Sequence, residues 1–118
     1  MEMHIEEPDG ETARVRLVGR MDYAGATEID AKFMAIAGRE KFVLVDMSKV
    51  SFLASMGIRT LIMAAKALNE RHGKMILFSP EMMVAKVLKT SGTDTLIPVY
   101  YDLSLARTAL QPSHAPKN

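Results

Sequence analysis

The sequence predicts an α/β fold with a single mixed β-sheet, in which an antiparallel N-terminal hairpin precedes parallel strands and about four helices cover the sheet. Two strand-like segments joined by a turn open the chain. Short apolar strands then alternate with helix-patterned segments, and this order favours parallel pairing through right-handed crossovers. The length of 118 residues indicates one domain, which we place at residues 1–110.

The opening hairpin is predicted from a turn flanked by two strands. Residues 3–7 form a short first strand, and Pro8-Asp9-Gly10 has the residue types that close a turn. Apolar and polar residues alternate over residues 12–18, which is typical of a half-buried strand.

The middle of the chain is predicted to contain two helices and a buried strand. Apolar residues recur at helical spacing from Ile29 to Ala37, and Gly38 is expected to end that helix. Residues 42–47 are almost entirely apolar and predict a strand that is buried on both faces. We expect residues 48–53 to link this strand to a helix beginning at Ser55 or Met56.

The C-terminal part is predicted to repeat the alternation. A strand at residues 75–78 precedes a helix with Ser79 as cap and Pro80 as first residue. The last strand is expected at residues 96–100, and Asp102 is expected to cap a final helix. Residues 111–118 contain two prolines and little apolar content, so we predict a disordered tail.

Composition excludes several classes of function. Fifteen basic against fourteen acidic residues give no charge excess that would favour nucleic acid. Cysteine is absent, so thiolate catalysis and zinc-thiolate sites are excluded. No apolar run reaches the length of a membrane span, and the N-terminus does not resemble a signal peptide. We therefore expect a cytoplasmic protein without membrane insertion or a cofactor, and no motif indicates an enzyme.

Asp46 allows two interpretations. An acid at the end of a buried strand is the position of the phosphoacceptor in receiver domains, and Glu6 with Glu7 could imitate their magnesium-binding pair. However, a turn and a second strand follow that pair where a receiver has a helix. The simpler interpretation is that Asp46 accepts hydrogen bonds from a neighbouring backbone turn.

Ser55 is the most informative position. A strand, a short connection and a helix meet there, which places Ser55 at a helix N-terminus. One interpretation is structural, because serine at an N-cap stabilises a helix by ~1 kcal/mol. The surrounding motif supports a functional interpretation.

The segments around Ser55 resemble those of the STAS family, the sulfate transporter and anti-sigma factor antagonist domains. Gly19-Arg20-Met21-Asp22 is similar to the family's Gly-x-Leu-Asp segment, and Ala54-Ser55-Met56-Gly57 is similar to its Asp-Ser-Ser/Thr-Gly loop. The resemblance extends from the hairpin to the final helix. Two positions depart from the family pattern, because Ala54 replaces the loop acid and Met56 replaces the second hydroxyl residue.

The resemblance implies a partner switch without catalysis by this chain. The unphosphorylated protein would bind an anti-sigma factor that is also a serine kinase, phosphorylation of Ser55 would end that binding, and a phosphatase would reset it. The implied partner-binding face comprises Asp22, Phe52, Leu53, Ala54, Met56, Gly57 and Arg59. A second interpretation is that the chain is an accessory subunit of a lipid-transporting ABC complex, which would not require a phosphorylatable Ser55.

Overall fold

The computed structural model describes residues 1–9 and 12–110, with side chains described at 1–6 and 12–110. One five-stranded sheet has the order β1-β2-β3-β4-β5; β1 is antiparallel to β2, and the other neighbouring pairs are parallel. The elements are β1 Glu2–Asp9, β2 Thr12–Met21, α1 Tyr23–Arg39, β3 Phe42–Leu53, α2 Ser55–Glu70, β4 Lys74–Phe78, α3 Met82–Thr90, α4 Thr93–Leu96, β5 Val99–Tyr100 and α5 Leu103–Leu110. The predicted mixed sheet with its N-terminal hairpin is confirmed.

Helices cover the sheet from both faces. The larger core joins alternate strand residues such as Val15 and Val45 to Phe33 of α1 and Leu61 of α2. The opposite face carries a smaller core in which α5 packs on Phe42, Leu44 and Ile76. None of the helices in the described residues is long and apolar enough to cross a membrane.

β3 is longer than its apolar run indicated. The predicted connection at residues 48–53 is wrong, because β3 continues to Leu53. Its last residues pair with the end of β2, where Arg20 faces Phe52 and Met21 faces Leu53. Register shifts on β2 and β3 accommodate this pairing. The extension brings the ends of β2 and β3 to one edge, where α1 and α2 begin.

Several predicted boundaries are wrong for local reasons. Gly38 lies inside the last turn of α1, which ends at Arg39. Ser79 does not cap α3; it has a φ of 56°, and Glu81 is the N-cap. The expected last strand is shorter, because residues 93–96 form the helix α4. Gly10 of the hairpin turn and the expected tail at residues 111–118 lie outside the described residues.

Candidate functional site

Ser55 is the first residue of α2 and its side chain is accessible. Ala54 alone separates β3 from α2 and is the N-cap residue, without a side-chain hydrogen bond. The structural interpretation of Ser55, as the N-cap of α2, is therefore wrong. Ser55 is exposed, and its hydroxyl forms no hydrogen bond with any residue that the structure describes. A phosphate could thus be added without breaking a hydrogen bond to any of the described residues.

Gly57 lets α2 begin in close contact with the strand ends. A Cβ at this position would lie 2.7 Å from Met21 Cγ and 2.8 Å from both Leu53 Cδ1 and the Met21 carbonyl oxygen. Leu53 and Gly57 are buried. Both belong to the predicted partner-binding face, but the structure places them beneath it, where they position the residues above.

Asp22 caps α1 beside this helix start. Its Oδ1 accepts a hydrogen bond from the Gly25 backbone amide at 2.8 Å, and its Oδ2 lies 3.4 Å from Arg20 Nε. The Gly25 hydrogen bond, assisted by Arg20, lowers the pKa of the Asp22 carboxyl below its usual value. Asp22 is thus the N-cap of α1, and its side chain remains partly exposed.

Arg20 is a surface residue of the site that the sequence did not single out. Its guanidinium carbon lies 4.3 Å from the centroid of the Phe52 ring, within the range of a cation–π contact. Phe52 is 40% exposed, so the stacked pair forms part of the surface. The available signal was the spacing of Arg20 and Asp22, which allows a short-range ion pair.

A groove of about 410 Å³ lies between α1 and α2 next to Ser55. Met34 of α1 faces Met56 and Met63 of α2 across it, and Arg59 also lines it. Arg59 is four residues after Ser55, a spacing that makes side chains neighbours on a helix. Met56 and Arg59 therefore lie on the predicted face, and the groove extends that face along both helices.

A backbone contact holds the two helix starts together. The Ala54 amide donates a hydrogen bond to the Met21 carbonyl oxygen at 3.0 Å, and the Asp22 carbonyl oxygen accepts from Ala26 at 2.8 Å. Of the residues predicted for the face, Asp22, Phe52, Ala54, Ser55, Met56 and Arg59 are at least partly exposed. The arrangement offers an accessible hydroxyl on an ordered surface that another protein can contact.

Asp46 lies elsewhere and is engaged internally. Its Oδ1 accepts hydrogen bonds from the Ser48 amide at 3.0 Å and the Ser48 hydroxyl at 2.7 Å, and its Oδ2 lies 3.5 Å from Arg14. Arg14 also approaches Glu6 at 3.6 Å. The strand order β1-β2-β3-β4-β5, with β1 antiparallel, differs from the parallel 2-1-3-4-5 order of receiver domains. The interpretation of Asp46 as a receiver phosphoacceptor is therefore wrong.

Comparisons with known proteins show the family to which the chain belongs. The model of the STAS domain family matches residues 3–106, so the chain belongs to the STAS domain family. The anti-sigma F factor antagonist of Lysinibacillus sphaericus is 28% identical over 94 residues, covering 78% of this chain and 80% of the relative.

Two solved structures share the fold. That of an anti-sigma factor antagonist from Mycobacterium paratuberculosis has a TM-score of 0.81 at 24% identity, covering 92% of each chain. The murine anion transporter Slc26a9 matches with a TM-score of 0.73 at 19% identity, covering 86% of this chain and 18% of the transporter. The fold therefore occurs both in antagonists and in transporters. The role of a STAS domain has to be inferred from its site and not from its fold.

Proposed function

We propose that this chain is an anti-sigma factor antagonist that binds an anti-sigma factor with serine kinase activity and is released when Ser55 is phosphorylated. The observation that carries the proposal is the exposed Ser55 hydroxyl, which is free of hydrogen bonds to the described residues and lies at the start of α2. The similarity to a protein named anti-sigma F factor antagonist supports this function. The chain acts in the cytoplasm as a substrate and binder, not as an enzyme, and a phosphatase restores the unmodified form.

A phosphate on Ser55 leaves the fold stable but destabilises the complex with the partner. A phosphate adds about −1.5 to −2 charges. At an exposed helix N-terminus, a negative charge is stabilised by ~0.3–1 kcal/mol, so the fold is retained. Within a docked interface the same charge loses water, and an uncompensated buried charge costs several kcal/mol. Since ~1.4 kcal/mol is a tenfold change in affinity, the modification releases the partner.

Affinity capture from the source lysate tests this function. The baits are the wild-type chain, Ser55→Asp and the matched control Ser104→Asp, which places the same charge on an exposed residue of α5. We expect wild type and Ser104→Asp to retain an anti-sigma serine kinase and Ser55→Asp to lose it. The purified kinase with ATP should then phosphorylate wild type at Ser55, as mapped by mass spectrometry.

Two results would reject the switch. One is a kinase that binds wild type and Ser55→Asp equally. The other is recovery of the same ABC-transporter subunits by all three baits without a kinase, which would favour the accessory-subunit reading.

A further inference from the structure

The helix α3 presents a second exposed surface, which is separate from the groove between α1 and α2. Val84 and Leu88 of α3 are buried in the larger core, and the outer side of the helix is exposed. Met82 is 84% exposed and Met83 is 68% exposed, so two large apolar side chains lie side by side in solvent. This outer side, the α3 patch, comprises Met82, Met83, Lys86, Lys89 and Thr90.

The α3 patch carries positive charge that the chain does not neutralise. Lys86 and Lys89 form no ion pair with any residue that the structure describes, and α3 itself contains no acidic residue. The nearest acids along the chain are Glu81 and Asp94, and neither is paired with a lysine within the described residues. Glu81 precedes Lys86 by five positions, about 140° around the helix axis, so it lies off the patch.

An open depression of about 350 Å³ lies on this side of α3. It is lined by Met83, Lys86, Val87, Thr90 and Ser91. The flexible thioether of methionine adapts to apolar groups of different shape. Lysine can cover apolar surface with its methylene stem while its ammonium group remains in water. The depression therefore suits an apolar side chain that has a carboxylate beside it.

We propose that the α3 patch is a docking site for an acidic amphipathic segment of a partner protein. An apolar side chain of that segment occupies the depression, and its carboxylates lie beside Lys86 and Lys89. Complementary charge selects a partner of negative sign. A protein segment fits better than a bilayer, because membrane binding scales with buried apolar area and two methionines offer little of it.

The inference goes beyond the proposed function. The α3 patch shares no residue with the face around Ser55, and docking on it does not depend on phosphorylation.

A displayed library of random peptides tests which chemistry the patch binds. Peptides enriched on the immobilised wild-type chain are titrated against protein labelled with ¹³C in its methionine methyl groups. The NMR signals of Met82 and Met83 report binding at the patch, and those of the methionines that line the groove report binding there. We expect the peptides that shift the Met82 and Met83 signals to carry net negative charge and an apolar residue.

Charge reversal shows whether the two lysines hold such a peptide. Lys86→Glu combined with Lys89→Glu should weaken its binding about tenfold or more. The matched control Lys32→Glu reverses an exposed charge on α1 and should change binding by no more than about twofold. Lys86→Gln with Lys89→Gln removes the charges without adding acids and should give a smaller loss in the same direction. Thermal unfolding verifies that each variant is folded.

Three results would overturn the inference. The first is that no enriched peptide shifts the Met82 and Met83 signals. The second is that peptides bound at the patch are neutral or basic, or bind the double charge reversal as tightly as wild type. The third is sedimentation with phosphatidylglycerol vesicles that the double reversal abolishes, without peptide binding, which would assign the patch to a lipid surface. None of these results bears on Ser55.

Discussion

The carbonyl oxygen of Met21 lies 2.8 Å from the position that a Cβ on Gly57 would occupy. The same oxygen accepts the hydrogen bond from the Ala54 amide at 3.0 Å. The end of β2 and the first turn of α2 are therefore packed without room for another atom, and this close packing determines where Ser55 lies.

Gly57→Ala is expected to destabilise the protein. The added methyl must displace Met21 and Leu53, and overpacking of this kind costs ~1–3 kcal/mol. Gly38→Ala is the matched control, because a Cβ there meets nothing within 4 Å and alanine is favoured in a helix by ~0.5–1 kcal/mol. Thermal or urea unfolding should show a lower midpoint for Gly57→Ala and an equal or higher one for Gly38→Ala. The opposite order would refute the packing role.

Asp22 should contribute stability that depends on pH. Its folded-state pKa is lowered, first by the Gly25 hydrogen bond, so the ionised form stabilises the folded protein above the ordinary carboxyl pKa of 3.8. This contribution is lost as the pH falls through the lower folded-state pKa. Asn retains a capping oxygen without charge, so the difference in Tm between wild type and Asp22→Asn should be present at pH 7 and vanish in strong acid. A constant difference would contradict this.

Ser55→Ala and Ser55→Asp should both fold as wild type does. The hydroxyl has no hydrogen bond to lose among the described residues, and a carboxylate in the first turn of α2 is favoured by ~0.3–1 kcal/mol at an exposed helix end. Thermal unfolding should give Ser55→Ala a Tm near that of wild type and Ser55→Asp an equal or slightly higher one. A loss of many degrees in either variant would indicate that Ser55 has a structural role.

Arg14→Met should destabilise the protein more than Arg16→Met. Arg14 lies 3.5 Å from the buried carboxylate of Asp46, and loss of a partner to a buried polar group costs ~1–3 kcal/mol. Among the side chains that the structure describes, the ion pair of Arg16 is an exposed one with Glu6 at 3.9 Å, and such pairs contribute ~0–1 kcal/mol. Urea unfolding gives the free energy of unfolding of both variants. Equal decreases in the free energy of unfolding would mean that the contact of Arg14 with the buried Asp46 contributes no more than the exposed contact of Arg16 with Glu6.

The fold was largely predictable because its signals are local. The alternating residues of β2 and the apolar run that begins β3 identify these two strands. Asp102 caps α5 as predicted, because its Oδ1 accepts a hydrogen bond from the Leu105 amide at 3.0 Å. The extension of β3 was not predictable in this way. Its exposed residues Ser48 and Lys49 break the apolar pattern, and pairing with β2 retains them in the strand.

The site was predictable at its centre and less so at its margin. Ser55 followed from the motif, but its exact place in α2 depends on how tightly β3 connects to the helix. Arg20 was missed because its contact with Phe52 joins two strands that are distant in sequence. The groove between α1 and α2 was also missed, since helix packing decides which methionines face each other.

The single-residue connection at Ala54 has a consequence for the proposed phosphorylation of Ser55. Because the helix begins directly after the strand, the hydroxyl is presented by folded backbone and not by an extended loop. Arg20, Asp22 and the groove come from other parts of the chain, so no linear peptide around Ser55 carries the same surface. A kinase that recognises this surface requires the folded protein. Such a kinase would not phosphorylate the unfolded chain.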